Sequence, residues 1–259
     1  MDRKSVLYQG LMNSINTPEN VYDPFFSNLS LMDPLNNLDC MIAWKNVHSV
    51  FMGGNRLAAK MAGFKNTDEL INISDYELKS KVSEYADEFI AQDRFVIETG
   101  QSLDILGVHT YEDDITRIIL TKKTPLMDGA NKVKGVMYHS SFVKETYLVA
   151  ISKLLFSLDI QCYLSKLDKQ QSYFIQDTYE AYGLSRRESQ CLFYLLRGKK
   201  SSVVAKLMGI SIRTVEAHIN HIKQKMDCKF LSEVVDKSIV EGYLFMLPVS
   251  CIEGLLLNA

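Results

Sequence analysis

Between Leu184 and Val234 the apolar positions follow a helical period three times in succession. Cys191, Leu192, Leu195 and Leu196 share one face of a 3.6-residue repeat. Ser185 precedes this run with Glu188 three residues on, a pair that caps orphan amides reciprocally, and Gly198 follows as a stop. A second, shorter helix is expected with Val203, Val204 and Leu207 inward and Ala205 small enough for close packing, ended by Gly209. Ser211 then caps a third, whose apolar stripe is Val215, Ile219, Ile222 and Met226. Its opposite face carries Arg213, Ala217, Asn220 and Gln224. Thr214, His218, His221 and Lys225 flank that face on one side, Glu216 and Lys223 on the other. Two helices joined by a short glycine-containing turn, the second exposing Arg, Asn and Lys, meet the geometric requirement for entering a DNA major groove.

Upstream the texture differs. Residues 1–37 are rich in Asn, Ser and Pro and predict a short helix followed by irregular chain. From Asp39, the runs 40–44 and 49–52 predict a hairpin, and the stretch 56–64 a short helix ended at Gly63. An amphipathic helix from Val82 to Thr99 stops at Gly100. Three strands follow at 103–111, 115–126 and 132–142, the last two joined by the turn-forming pair Asp128-Gly129. This order implies an antiparallel sheet with short helices over one face, an α+β domain at 38–143. A lining for any small-molecule pocket there would come from Trp44, Phe51, Met61, Phe89, Phe95, Ile119 and Met137, which would equally serve as plain core. Residues 144–182 predict a helical linker, where Leu148, Ile151, Leu155, Leu158 and Cys162 form a seam of about two heptads, short for a stable coiled coil by itself, which serves either as a dimer helix or as a helix packed on its own sheet. An all-α domain of four helices spans 183–245. The tail 246–259 is apolar and is expected to pack on the first domain or on a partner chain.

Charge sharpens this division. The whole chain of 259 residues carries a net charge of -2, yet residues 184–232 hold 10 Lys and Arg against 3 acids, leaving the remainder with 19 against 28. A basic module on an acidic body is the footprint of phosphate binding, with Lys199 and Lys200 adding to the helix residues above. Five cysteines without a Cys-x-x-Cys pair read as buried hydrophobes in a reducing compartment. No apolar run is long enough for a membrane span, and the N-terminus lacks the apolar core of a signal peptide.

The ordered set Leu184-Ser185, Arg187-Glu188, Gly198, Ala205, Leu207, Ile210-Ser211, Thr214-Val215-Glu216, His218, Ile222 and Lys225-Met226 resembles the LuxR-type helix-turn-helix domain of bacterial transcription regulators. That resemblance implies four helices, the third for recognition and the fourth often for dimerisation. It places Thr214, Val215 and Lys225 near the DNA backbone and Arg213, Glu216, Ala217 and Asn220 near bases. His221 and Lys223 complete the expected contact set. Two departures are visible: Val203-Val204-Ala205 is more apolar than the family pattern, and Lys229-Phe230 replaces its usual Asn-Arg. Residues 38–143, with Asn55, Gly63, Thr99-Gly100, Lys123-Thr124-Pro125-Leu126, Asp128-Gly129 and Gly135, resemble a PAS sensor domain.

His48, His109 and His139 are the candidates for a haem ligand, although a lone imidazole is usually structural. Flavin photochemistry would need a cysteine in the short-helix region, and none lies between Cys40 and Cys162. No phosphate-cradling glycine loop, nucleophile elbow or metal helix is present, so no catalytic residue and no metal ligand is expected, and no cofactor can be named. The expectation is a cytoplasmic, homodimeric regulator of double-stranded DNA with a possible small-molecule ligand in the PAS-like domain. A ligand-independent dimeric DNA binder, or a protein-binding adaptor with weak DNA affinity, are the alternatives.

Overall fold

A computed structural model describes residues 32–111, 116–143 and 172–256, which divide into two compact units. The expected linker seam at 148–162 and most of the N-terminal extension lie outside the described residues. The first unit comprises the described residues up to Val143 together with Ser172; the second begins at Tyr173.

In the first unit a short helix α1 (Met32–Asn36) precedes strands β1 (Met41–Asn46) and β2 (Phe51–Gly54). Helix α2 (Arg56–Met61) and three 3-10 turns (Thr67–Leu70, Asp75–Glu77 and Lys81–Tyr85) lead into α3 (Ala86–Thr99). The expected helix from Val82 is therefore two pieces, and the α-helical part starts at Ala86. Gly100 ends it in the left-handed region at φ 66°. Strands β3 (Leu103–Thr110), β4 (Thr116–Met127) and β5 (Val133–Phe142) complete an antiparallel sheet in the order β2-β1-β5-β4-β3. The Asp128 carboxylate accepts from the amides of Ala130 and Lys132, closing the β4–β5 turn. Buried Asn55 caps α2 through Ala58 N and also accepts from Ile42 N, so one side chain ties the helix start to β1.

Strand alternation decides which side chains meet the helices. Met41, Ala43 and Lys45 share one face of β1, and Trp44 the other, opposite Met137 of β5. Trp44 packs over β2 so closely that a Cβ on Gly53 would lie 2.3 Å from its ring, which is why glycine stands there.

Strand β6 (Ser172–Gln176), which belongs to the second unit from Tyr173 on, runs parallel to β7 (Met246–Pro248), with Ile175 opposite Leu247. Between them come α4 (Arg186–Leu196), α5 (Ser201–Met208), α6 (Ile212–Lys225) and α7 (Leu231–Val240), and α8 (Val249–Leu256) follows. Cys191, Leu192, Val204, Val215, Ile222, Met226 and Val234 form the core. In α5 the inward residues are Val204, Ala205 and Met208, whereas Val203 and Leu207 are exposed. The eight-residue helix is too short for its period to fix the phase, and Met208 displaces Leu207. The apolar tail packs on α4 of its own unit, with Leu247 and Ile252 buried. Tyr179 stacks on Tyr243 at 4.6 Å and its hydroxyl donates to Met246 O, further fixing the tail.

Candidate DNA interface and sensor cavity

The caps of the second unit form as the sequence requires. Ser185 Oγ accepts from Glu188 N, and the Glu188 carboxylate accepts from Ser185 N at 2.7 Å. Ser211 Oγ accepts from Thr214 N at the start of α6, and Gly209 turns the chain between α5 and α6 at φ 65°. Ser211→Ala is expected to cost about 1 kcal/mol of unfolding free energy, read as a shift in urea midpoint by circular dichroism at constant m-value.

Arg213, Thr214, Glu216, Ala217, Asn220 and Gln224 are exposed along α6, and Lys223 is half-buried. Val215, expected near the DNA backbone, is fully buried: it belongs to the apolar stripe that holds α6 on α4, so its side chain cannot face a groove. Lys225 is also engaged internally, donating to Glu188 Oε2 at 2.7 Å and to Gly183 O at 2.8 Å. His221 Nδ1 lies 3.6 Å from the same carboxylate. Burial disfavours the charge on Glu188, but Lys225 and the Ser185 amide outweigh it and hold the carboxyl below its usual range. These two residues thus fix the end of α6 to the start of α4. Lys200 is exposed at the start of α5, and Lys199 is half-buried beside it.

Arg197, which sequence alone would place on the basic surface, is buried. Its guanidinium lies 3.6 Å from the Phe193 ring centroid and donates to Phe193 O and Leu244 O. It terminates α4 against the carbonyl end of the helix dipole and ties in the segment before β7.

The first unit holds a half-open cavity of about 80 Å³ between the sheet and the short helices. Phe51, Met61, Phe89 and Ile119 line it, whereas Trp44, Met137 and Phe95 do not. Trp44 and Met137 fall on the other face of the sheet by strand alternation, and Phe95 lies off the Phe89–Gln92–Val96 stripe of α3. Of the three histidines, His109 lines the cavity and His48 and His139 do not. The volume is below the roughly 150 Å³ that accommodates benzene, so neither haem nor a flavin ring fits as it stands.

The polar part of the cavity was not legible from the apolar pattern. Lys45 donates to both oxygens of Asp75 at 2.6 and 2.7 Å and to Asp93 at 2.8 Å; Lys123 donates to Asp93 at 2.5 Å and to Phe89 O at 3.0 Å. All four side chains are buried. Burial disfavours the charge on Lys45, but Asp75 and Asp93 outweigh it and raise its pKa. Burial also disfavours the charge on Asp93, but Lys123 and Lys45 hold its carboxyl below the usual range. Among the described residues no group of three or more His, Cys, Asp or Glu could hold a metal ion, and no helix is long and apolar enough to cross a membrane.

Residues 183–238 match the bacterial regulatory proteins of the luxR family, and residues 35–147 match the PAS fold. The chain therefore carries a LuxR-family helix-turn-helix domain and a PAS domain. The transcriptional activator AhyR of Aeromonas hydrophila is 34% identical over 61 residues, 24% of each chain. The oxygen regulatory protein NreC of Staphylococcus carnosus is 34% identical over 61 residues, 24% of this chain and 28% of that protein. The chain thus spans about a quarter of the length of these relatives. A solved structure of the Vibrio cholerae VqmA dimer shares 27% identity, covering 86% of this chain and 92% of that one, with a TM-score of 0.47.

Proposed function

We propose that the protein is a cytoplasmic, homodimeric, non-enzymatic regulator of transcription whose α6 enters the DNA major groove and whose PAS domain responds to a small molecule. The observation that carries the DNA reading is the exposed Arg213–Ala217–Asn220–Gln224 face of α6, held rigidly by its buried stripe and by Lys225. Arg213, Glu216, Ala217 and Asn220 are the base-reading set; Thr214, Lys199, Lys200 and Lys223 serve phosphates. Val215, Lys225 and His221 act by positioning. A second copy would pair through α7, where Val240 is 72% exposed and Phe230, just before it, 65%. Two such units read half-sites about one helical turn apart.

The sensing reading rests on the largely apolar cavity between the sheet and the short helices. Its four buried charges balance as two lysines and two aspartates, so an uncharged occupant disturbs them least. Duplex binding by the full chain should weaken steeply with salt, in proportion to the phosphates neutralised. Asn220→Ala is expected to reduce affinity for an operator selected from random DNA by roughly tenfold or more, while leaving affinity for unrelated duplex nearly unchanged. Equal losses on both DNAs would put the reading face elsewhere, and salt-independent binding would favour the protein-binding adaptor.

A further inference from the structure

Residues 173–182 precede the stretch that matches the luxR family, residues 239–256 follow it, and the two flanks hold one another. Phe174, Ile175 and Gln176 of β6 stand opposite Met246, Leu247 and Pro248 of β7. The Tyr173 and Phe245 rings lie 6.3 Å apart, and Tyr179 stacks on Tyr243 at 4.6 Å. The Tyr182 hydroxyl donates to the Glu241 carboxylate just past α7, and Lys237 of α7 stands 4.7 Å over the Tyr182 ring. The Tyr179 amide donates to Ser189 Oγ of α4 at 3.1 Å, so the clasped flanks are also seated on the helices.

Arg197 locks the trailing flank in place. It stands at the end of α4, is 2% exposed, and donates from its two terminal nitrogens to Phe193 O and Leu244 O, each at 3.2 Å. It has no carboxylate partner among the described residues, and its Nε has no hydrogen-bond partner. Burying a charge in this way costs free energy, and methionine would fill much the same space without that cost. What the guanidinium supplies is direction: a planar fork that joins the last turn of α4 to the backbone two residues before β7.

The clasp decides where the reading unit begins. Closed, it makes the ten residues from Tyr173 to Tyr182 part of that unit and holds their end beside α7, the helix proposed to pair two copies. Open, the same residues would add roughly 33 Å of extended reach to each copy, about one turn of DNA. The pairing face of α7 is small, with Val240 and the adjoining Phe230 its most exposed apolar residues. Such a face keeps two copies together only while the chains entering them allow no wider separation. Resting on the reading of the chain as a dimer that binds two half-sites, we infer that this clasp, with Arg197 as its positioning residue, sets the half-site separation the protein accepts.

The test uses the full-length chain and an operator selected from random DNA, with and without about ten base pairs, one helical turn, inserted between its half-sites. The wild type is expected to bind the lengthened operator roughly tenfold or more weakly. Ile175→Pro disrupts the β6 side of the ladder and leaves the tail packed on α4. It should lose no more than about threefold on the same insertion, with affinity for a single half-site duplex close to that of the wild type. Arg197→Met should shift in the same direction while its urea midpoint stays level or rises, a combination that a merely structural arginine would not give. It decides the matter alone should the proline variant lose half-site affinity. If the variants discriminate spacing as the wild type does, the clasp has no part in specificity and the dimeric reading stands. If the wild type itself ignores the insertion, the two-half-site reading falls and the inference with it.

Discussion

Asp93→Ala is expected to lower the unfolding free energy of the PAS unit by about 3–5 kcal/mol, a large part of the 5–15 kcal/mol typical of a whole domain. Asp93 is fully buried and accepts from both lysines, at 2.8 Å from Lys45 and 2.5 Å from Lys123. Removing it leaves Lys45 with Asp75 alone and Lys123 with only the Phe89 carbonyl, so one ammonium is buried without a counter-charge. Burial already pushes the Lys123 pKa down with Asp93 in place. Without Asp93, Lys123 would either lose its proton or draw water into the site.

The chain reports on this change selectively. Its single tryptophan, Trp44, is buried in β1, so fluorescence during urea unfolding follows the PAS unit and not the DNA-binding unit. The size of the loss does not mean that the charges stabilise the fold by that amount. Replacing a complete buried pair with apolar residues of similar volume is often neutral or stabilising. Asp93→Leu combined with Lys123→Met should therefore recover most of what Asp93→Ala loses. If the single and double variants unfold at the same urea concentration, the loss comes from packing and not from an uncompensated charge.

These charges also mark where sequence reading stopped. The strands of the PAS unit were legible within one or two residues because their apolar runs are bounded by turn residues such as Asp128-Gly129, whose carboxylate closes the turn as expected. The caps at Ser185 and Ser211 were legible because capping is local in sequence. Lys45 and Asp93 are 48 residues apart and meet only through the fold, so no spacing rule pairs them. A lysine inside an apolar strand, as in Met41-Ile42-Ala43-Trp44-Lys45, was the available signal, since lysine is almost never fully buried unless paired. Val215 and Lys225 show the converse case, in which a position assigned to DNA by its place in the motif also has a partner inside the unit. Both fit a family pattern of DNA contact, yet Val215 completes the stripe that fixes α6 and Lys225 reaches the cap of α4. A motif position can recur because it holds the reading helix in place.

His109 should make the PAS unit acid-sensitive well above the range of ordinary carboxylates. In the folded protein its pKa is pushed down to about 4, first by burial and then by the Lys123 ammonium, from an ordinary value of 6.5. The unfolded chain binds the proton below about pH 6.5, whereas the folded chain refuses it until about pH 4. Between these limits the unfolded state holds more protons, so stability is full above pH 6.5 and falls as the pH is lowered. Across that interval the loss is about 3 kcal/mol. Glu88, on the neighbouring helix, contributes with the opposite sign: burial raises its carboxyl pKa, so lowering the pH relieves a charge that the fold disfavours. The difference between the wild-type chain and His109→Phe, both followed through Trp44 in urea, isolates the histidine. The wild type should lose about 3 kcal/mol more than the variant between pH 6.5 and 4. Parallel pH profiles would mean that His109 is protonated in the fold or reaches solvent.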